Sequence, residues 1–143
     1  MDARRQERVW GLVASGARDR GVAVSAGLVC EICAETAGVD GVGLTVRSRP
    51  GRLEPLYATD SISRQLDELQ FTVGEGPCVE AFRAGQPVLV PDLAADSVLS
   101  RWPGLAAAAA RADAGAVFAL PLQSGAIRIG VLGLYRRAAG GLG

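Results

Sequence analysis

The sequence predicts an α+β fold: a central, largely antiparallel sheet of about five to six strands with helices on its faces. Three observations predict it. Segments with helical spacing of apolar residues are interleaved with segments that alternate apolar and polar residues strictly. Two pairs of strand-like segments, the first with alternation and the second long and apolar, are joined by turn signals, Pro50-Gly51 and Ser124-Gly125. Glycines and prolines stand where helices would stop or start. A chain of 143 residues suits one domain with one core, and no composition shift marks a second.

Residues 3–19 can form a helix with Val9, Leu12, Val13 and Gly16 on one side, flanked by Arg4, Arg5, Arg8 and Arg18, with Gly21 as its stop. The stripe is too narrow for deep burial, so residues 1–20 are expected to dock across the domain or against the same helix of a second copy, or else to lie on the surface. A second helix is expected from the N-cap Ser25 to Ala37, closed by Gly38. "GVGLTVRS" then places Val42, Leu44 and Val46 on one face and Thr45 and Arg47 on the other, and Pro50-Gly51 turns it into "LEPLYATD" as a hairpin. "SISRQLDELQF" reads as a helix capped by Ser61 or Ser63, with Leu66 and Leu69 inward. "CVEAFRAG" makes about two turns to Gly85, and "QPVLVPDL" a strand that stops at Pro91. "RWPGLAAAAARADAG" is a helix begun by Pro103 and ended by Gly115. "AVFALPLQS" and "AIRIGVLGLYRR" are the buried centre of the sheet, and residues 138–143 read as a flexible tail or the beginning of a linker.

Composition removes whole classes of chemistry. Of the residues in the chain 49% are hydrophobic, so the core is expected to be aliphatic. Fifteen acidic residues balance fifteen basic ones, which leaves no overall field to draw nucleic acid or an anionic membrane. No apolar run approaches the roughly 20 residues needed to span a bilayer, and no segment reads as a secretory signal, so a cytoplasmic protein is expected. All the basic residues are arginine: the sequence has no His, Lys or Asn. Histidine-assisted nucleophiles, Schiff-base lysines, lysine-ended phosphate loops, HExxH zinc sites and histidine-ligated haem therefore each lack an essential residue. Cysteine or carboxylate chemistry remains, or no catalysis, and no catalytic residue, metal or cofactor is assigned.

Three cysteines, an odd number, fit a reduced compartment. Cys30 and Cys33 form a C-x-x-C pair on a predicted helix, but a structural zinc needs about four ligands and Cys78 is the only other thiol, so a carboxylate would have to complete the set. The preferred expectation is Cys33 at the core margin and Cys30 toward another face or a partner.

"LQFTVGEGPCVEAFRAGQPVLVPDL", the following "RWP" and "AVFALPLQSGAIRIGVLGLY" together resemble the GAF domain family. More narrowly, they look like the actinobacterial GAF domains that precede an RNA-binding ANTAR domain in transcription antitermination regulators. The resemblance covers about Ser25 to Tyr135, placing a GAF-like sensory domain at 21–137. It implies an antiparallel sheet of GAF/PAS type, with helices on one face and a small-molecule pocket under helices and loops on the other. It also implies dimerisation through terminal helices, and signalling to an effector such as an ANTAR module, which this chain does not contain. The signature of cyclic-nucleotide-binding members includes Asn and Lys, and bilin- and haem-binding members use histidine; this sequence has none of these residues.

The G-x-G-P-C turn is the centre of the expected site. Gly74 and Gly76 can adopt positive φ, and Pro77 pre-sets the first helical residue, placing Cys78 in the first turn near free N–H groups that favour a thiolate or an anion. Glu75 and Glu80 oppose both. Three readings of the turn stay open: a sharp corner with Cys78 filling a small gap, a wall of a pocket for a neutral or mostly apolar ligand, and a redox thiol. Phe71, Phe82 and Trp102 are expected to supply apolar surface to the pocket, and Asp92 and Arg101 to orient its ligand. Each has a plain alternative: Phe82 and Trp102 as core, Asp92 as a turn cap, Arg101 as a solvated side chain.

Three functions follow. The first is a non-catalytic sensory module that binds an unknown small molecule, forms a homodimer, and has no direct nucleic-acid or membrane partner. The second is a thiol redox sensor or an enzyme similar to the GAF-fold reductases of free methionine sulfoxide, with Cys78 as nucleophile. The third is a dimerisation platform whose pocket is filled by its own side chains.

Overall fold

A computed structural model describes residues 26–49 and 52–141. The helix expected over residues 3–19, and with it that half of the expected dimer contact, lies outside the described residues.

Alternation of apolar and small residues builds the strands. β1 (Gly41–Arg49) and β2 (Arg52–Ala58) form the first hairpin, and β4 (Ala116–Ser124) and β5 (Ile127–Arg136) the second. β3 (Val88–Val90) is short. The five strands are ordered β2-β1-β5-β4-β3 and every pairing is antiparallel. Pro55 is tolerated because β2 is an edge strand, where one side of the backbone needs no ladder partner.

One face of the sheet carries Val42, Leu44, Phe118, Leu120, Leu132 and Leu134, all buried, with α1 (Ala26–Ala37) packed on it. Cys30 and Cys33 are both sealed into this cluster. The expectation that Cys30 points elsewhere is therefore corrected: on α1 the two positions three apart share the stripe that meets the sheet. Gly38, at φ +64°, ends the helix as expected.

The opposite face is covered by the remaining helices. α2 (Ser61–Val73) is capped by Asp60, whose carboxylate accepts from the Ser63 N–H at 2.8 Å, rather than by Ser61 or Ser63. α3 (Pro77–Ala84) follows the glycine turn. Between β3 and β4 the chain forms two helices, α4 (Asp96–Arg101) and α5 (Pro103–Ala112), where one was expected, because Pro103 opens a new helix beside the buried Trp102. α5 ends at Asp113 in the left-handed region, φ 58°, and not at Gly115. Gly115 serves a close approach instead: a Cβ there would lie 2.4 Å from the Arg137 carbonyl. Residues 138–140, expected as a tail, run along this segment, and the Gly140 N–H donates to the Pro91 carbonyl.

Candidate functional site

The G-x-G-P-C turn is shaped by Gln70. Gly74 closes α2 at φ 79°, donating its N–H to the Gln70 carbonyl. Gly76, at φ 132°, leaves no room for a side chain, since a Cβ would sit 2.5 Å from Gln70 Oε1. That oxygen accepts from the Cys78 N–H at 2.9 Å, and Gln70 Nε2 donates to the Leu66 carbonyl at 3.2 Å. A buried glutamine thus does the work of the absent N-cap side chain of α3. Of the N–H groups expected to be free here, that of Cys78 is already taken.

Beneath the turn, glycines on the sheet admit polar side chains from α2. A Cβ on Gly43 would fall 1.8 Å from Asp67 Oδ2, and one on Gly133 3.0 Å from Asp67 Oδ1 and 2.9 Å from Cys78 Sγ. Asp67 is only 4% exposed. Burial, with the charge of Glu68, pushes its carboxyl from 3.8 up to about 8, so at neutral pH it is mainly protonated. Among the described residues, Asp67 Oδ2, Thr45 Oγ1 and Ser63 Oγ are buried without a hydrogen-bond partner. The residual space beside Ser63, Asp67 and Gln70 is about 10 Å³, the room of a single water. The enclosed hollow expected under the turn is filled.

The concavity lies just outside it. A groove of about 660 Å³ runs between α2, α3 and the ends of β1, β2 and β5. Phe71, Gly74, Val79 and Phe82 form its apolar wall. Arg47, Arg52, Arg83 and Arg128 stand around it with Glu54 and Glu68. Arg52 and Glu54 pair at 3.2 Å. Arg128 reaches this face through a β-bulge: the register passes from Leu122↔Gly130 to Gln123↔Arg128, so Ile129 is passed over and Arg128 shares the face of Gln123.

The eight expected site residues separate into three places. Phe71, Gly74 and Phe82 line the groove. Gly76 and Cys78 are buried behind its wall. Asp92, Arg101 and Trp102 line a different cleft of about 270 Å³ between β3 and α4. There Asp92 accepts from the Ala94 N–H, Arg101 stacks over the Trp102 ring at 4.5 Å and pairs with Glu80, and Trp102 is buried. The plain alternatives hold for Asp92 and Trp102, and one glutamate thought to oppose ligands at the turn is neutralised by Arg101. Arg47, Arg83, Arg128 and Asp67 were not anticipated. The signal for Asp67 was the pair of glycines at alternate positions in "GVG", which on a strand vacates one face. The arginines are far apart in sequence, and Arg128 depends on a bulge that no local pattern marks.

The thiols do not form a reactive set. Cys30 and Cys33 belong to the core under α1, Cys78 to the opposite face of the sheet. Burial raises Cys30 to about 12 and Cys33 to about 11. Cys78 is raised well above its usual value, first by burial and then by Asp67, against a smaller lowering by Gln70. The nucleophile and resolving-thiol arrangement is corrected: the sheet stands between its members. Among the described residues no group of His, Cys, Asp and Glu is placed to hold a metal.

Among the described residues no helix is long and apolar enough to cross a membrane. No curated protein matches the sequence significantly. Solved structures share the fold. One is a domain of a protein named as a two-component sensor histidine kinase of Sinorhizobium meliloti 1021, with TM-score 0.58 and 14% identity over 77% of this chain and 69% of that one. Another is a NreA protein of Staphylococcus aureus mutated in its nitrate binding site, with TM-score 0.57 and 16% identity over 81% and 87%. A hypothetical protein of S. aureus gives TM-score 0.56 and 14% identity over 80% and 94%. Residues 19–142 match the GAF domain, and with this coverage, the five-stranded antiparallel sheet and the helices on its faces, the chain belongs to the GAF domain family.

Proposed function

We propose that this GAF domain is a non-catalytic sensory module that binds a small molecule in the groove bounded by Phe71, Gly74, Val79 and Phe82, and passes the event to an attached or partner effector. The observation that carries the reading is the groove itself, a concavity of about 660 Å³ beside the rigid glycine turn. Gly76 and Cys78 hold its wall from behind. The buried thiols and the absence of His and Lys support a binding role over catalysis. A structural relative, the NreA protein of Staphylococcus aureus, has a nitrate binding site, which fits small-molecule binding as a use of this fold. The finer part of the proposal is a cytoplasmic homodimer, joined through the N-terminal helix and α1, that regulates transcription antitermination through an RNA-binding ANTAR module. It rests on the order of the G-x-G-P-C, "PVLVPDL" and "RWP" motifs.

A thermal-shift screen with metabolites tests the sensory reading. A ligand at 100 times its Kd stabilises the fold by about 2.7 kcal/mol. The reading expects at least one such ligand, with Phe82→Ala weakening it and Trp102→Ala leaving its affinity unchanged. Silence across a broad library favours the platform reading, which the filled interior of about 10 Å³ supports. Sedimentation that stays monomeric over a wide concentration range removes the homodimer.

A further inference from the structure

Resting on the groove as the ligand site, we infer that its ligand is an organic oxyanion: a carboxylate or phosphate carried on an apolar, planar body. The protein has no net charge, yet four of its fifteen arginines surround this one concavity. Among the described residues the only ion pairs are Arg52–Glu54 and Arg101–Glu80, so Arg47, Arg83 and Arg128 face the groove without a carboxylate partner.

Their placement suits an anion. The β1–β5 ladder ends at Val46↔Gly130, which puts Arg47 and the bulge-turned Arg128 just beyond the last pair on adjacent strands and on the same face. Like charges so placed on neighbouring strands repel. Arg83 approaches from α3 on the other wall. An oxyanion between them would convert the repulsion into charge-assisted hydrogen bonds, and guanidinium forks suit the planar geometry of carboxylate and phosphate. Glu68 is the counterargument, being the one groove carboxylate without an ion pair, but three guanidinium groups outnumber it. Half-buried Phe71 and Phe82 with Val79 supply the apolar wall, so a bare inorganic ion would leave that surface unused.

The experiment titrates the isotopically labelled protein with phenyl phosphate, benzoate, inorganic phosphate, benzyl alcohol and a single-stranded RNA 12-mer, following backbone amide shifts. Phenyl phosphate or benzoate is expected to move Phe71, Gly74, Val79 and Phe82 and to bind at least about 10-fold more tightly than benzyl alcohol, as charge-assisted bonds imply. Preference for one of the two anions identifies phosphate esters or carboxylates as the source. Arg83→Gln and the double variant Arg47→Gln/Arg128→Gln should each weaken the anion about 10-fold, leave benzyl alcohol unchanged and keep the melting temperature. Raising salt should weaken the anion alone. Equal binding of benzyl alcohol, indifferent to the arginine variants, overturns the oxyanion while the groove stands as the ligand site. Shifts confined to the Trp102 cleft, or none with any probe, overturn both. Tight binding of a single-stranded RNA 12-mer with no response to phenyl phosphate overturns the small-molecule assignment in favour of a nucleic-acid surface.

Discussion

The two faces of the sheet solve opposite problems. Under α1 the face is dry and aliphatic: Val42, Leu44, Phe118, Leu120, Leu132 and Leu134 close around two neutral thiols. Under α2 and α3 the strands present Gly43, Gly133 and Thr45, and into the space so left the helix inserts Asp67, Gln70 and Ser63. The first arrangement maximises buried apolar area, worth roughly 1.5–3 kcal/mol for each large side chain. The second forgoes that and leaves three buried polar atoms without partners among the described residues, an arrangement that costs stability. The difference teaches where the fold is anchored and where it is adapted to another purpose, since the groove opens beside the polar face.

The largest effect expected from breaking this contrast is on the dry face. Phe118→Ala should destabilise by about 3–5 kcal/mol in urea unfolding, because Phe118 is 1% exposed in the cluster under α1 and its removal leaves a large cavity there. A loss below about 1 kcal/mol would mean that the α1 face is not the anchor. On the polar face, Gly43→Ala should cost about 1–3 kcal/mol by overpacking against Asp67, and most of that should be recovered in Gly43→Ala/Asp67→Ala. Additive losses would show that the two residues do not meet.

The pH dependence sharpens the contrast further. Asp67 is raised in the folded state from 3.8 to about 8, so the folded protein holds a proton that the unfolded chain releases. Its contribution is fully present below about pH 4 and is lost as pH rises toward 8, at up to about 1.4 kcal/mol per pH unit. Asp67→Asn should flatten that slope and be more stable than the parent at pH 8. An unchanged slope would place the titration elsewhere. The smallest effect is expected at the outer cleft, where Arg101→Ala removes an exposed ion pair to Glu80 and the stacking on Trp102, for about 0.5–1 kcal/mol.

These residues also mark what was legible in the sequence. Strands and hairpins were, because alternation and turn dipeptides are local: β1, β2, β4 and β5 lie where "GVGLTVRS", "LEPLYATD", "AVFALPLQS" and "AIRIGVLGLY" place them. The second hairpin turns on Gly125-Ala126 rather than Ser124-Gly125, one residue later, since β4 runs through Ser124. Helix ends were less so. In "TDSIS" four residues can cap, and Asp60 does so while also accepting from the Tyr135 hydroxyl, a partner 75 positions away. The apolar half of the groove wall was legible but for Val79, as Phe71, Gly74 and Phe82 cluster within 12 residues of sequence. Its charged half was not. Arg47, Arg83 and Arg128 meet only through strand order and one bulge, and in sequence each reads as a solvated arginine.

The central claim is that the groove beside the glycine turn, and not the Trp102 cleft or the filled interior, receives the ligand. Crystals of the protein grown with the strongest hit from the metabolite screen test it directly. The account predicts electron density for the ligand against Phe71, Val79 and Phe82, within reach of the Arg83 guanidinium. Density lodged between β3 and α4, or beside Asp67 with α2 displaced from Gly43, would contradict it.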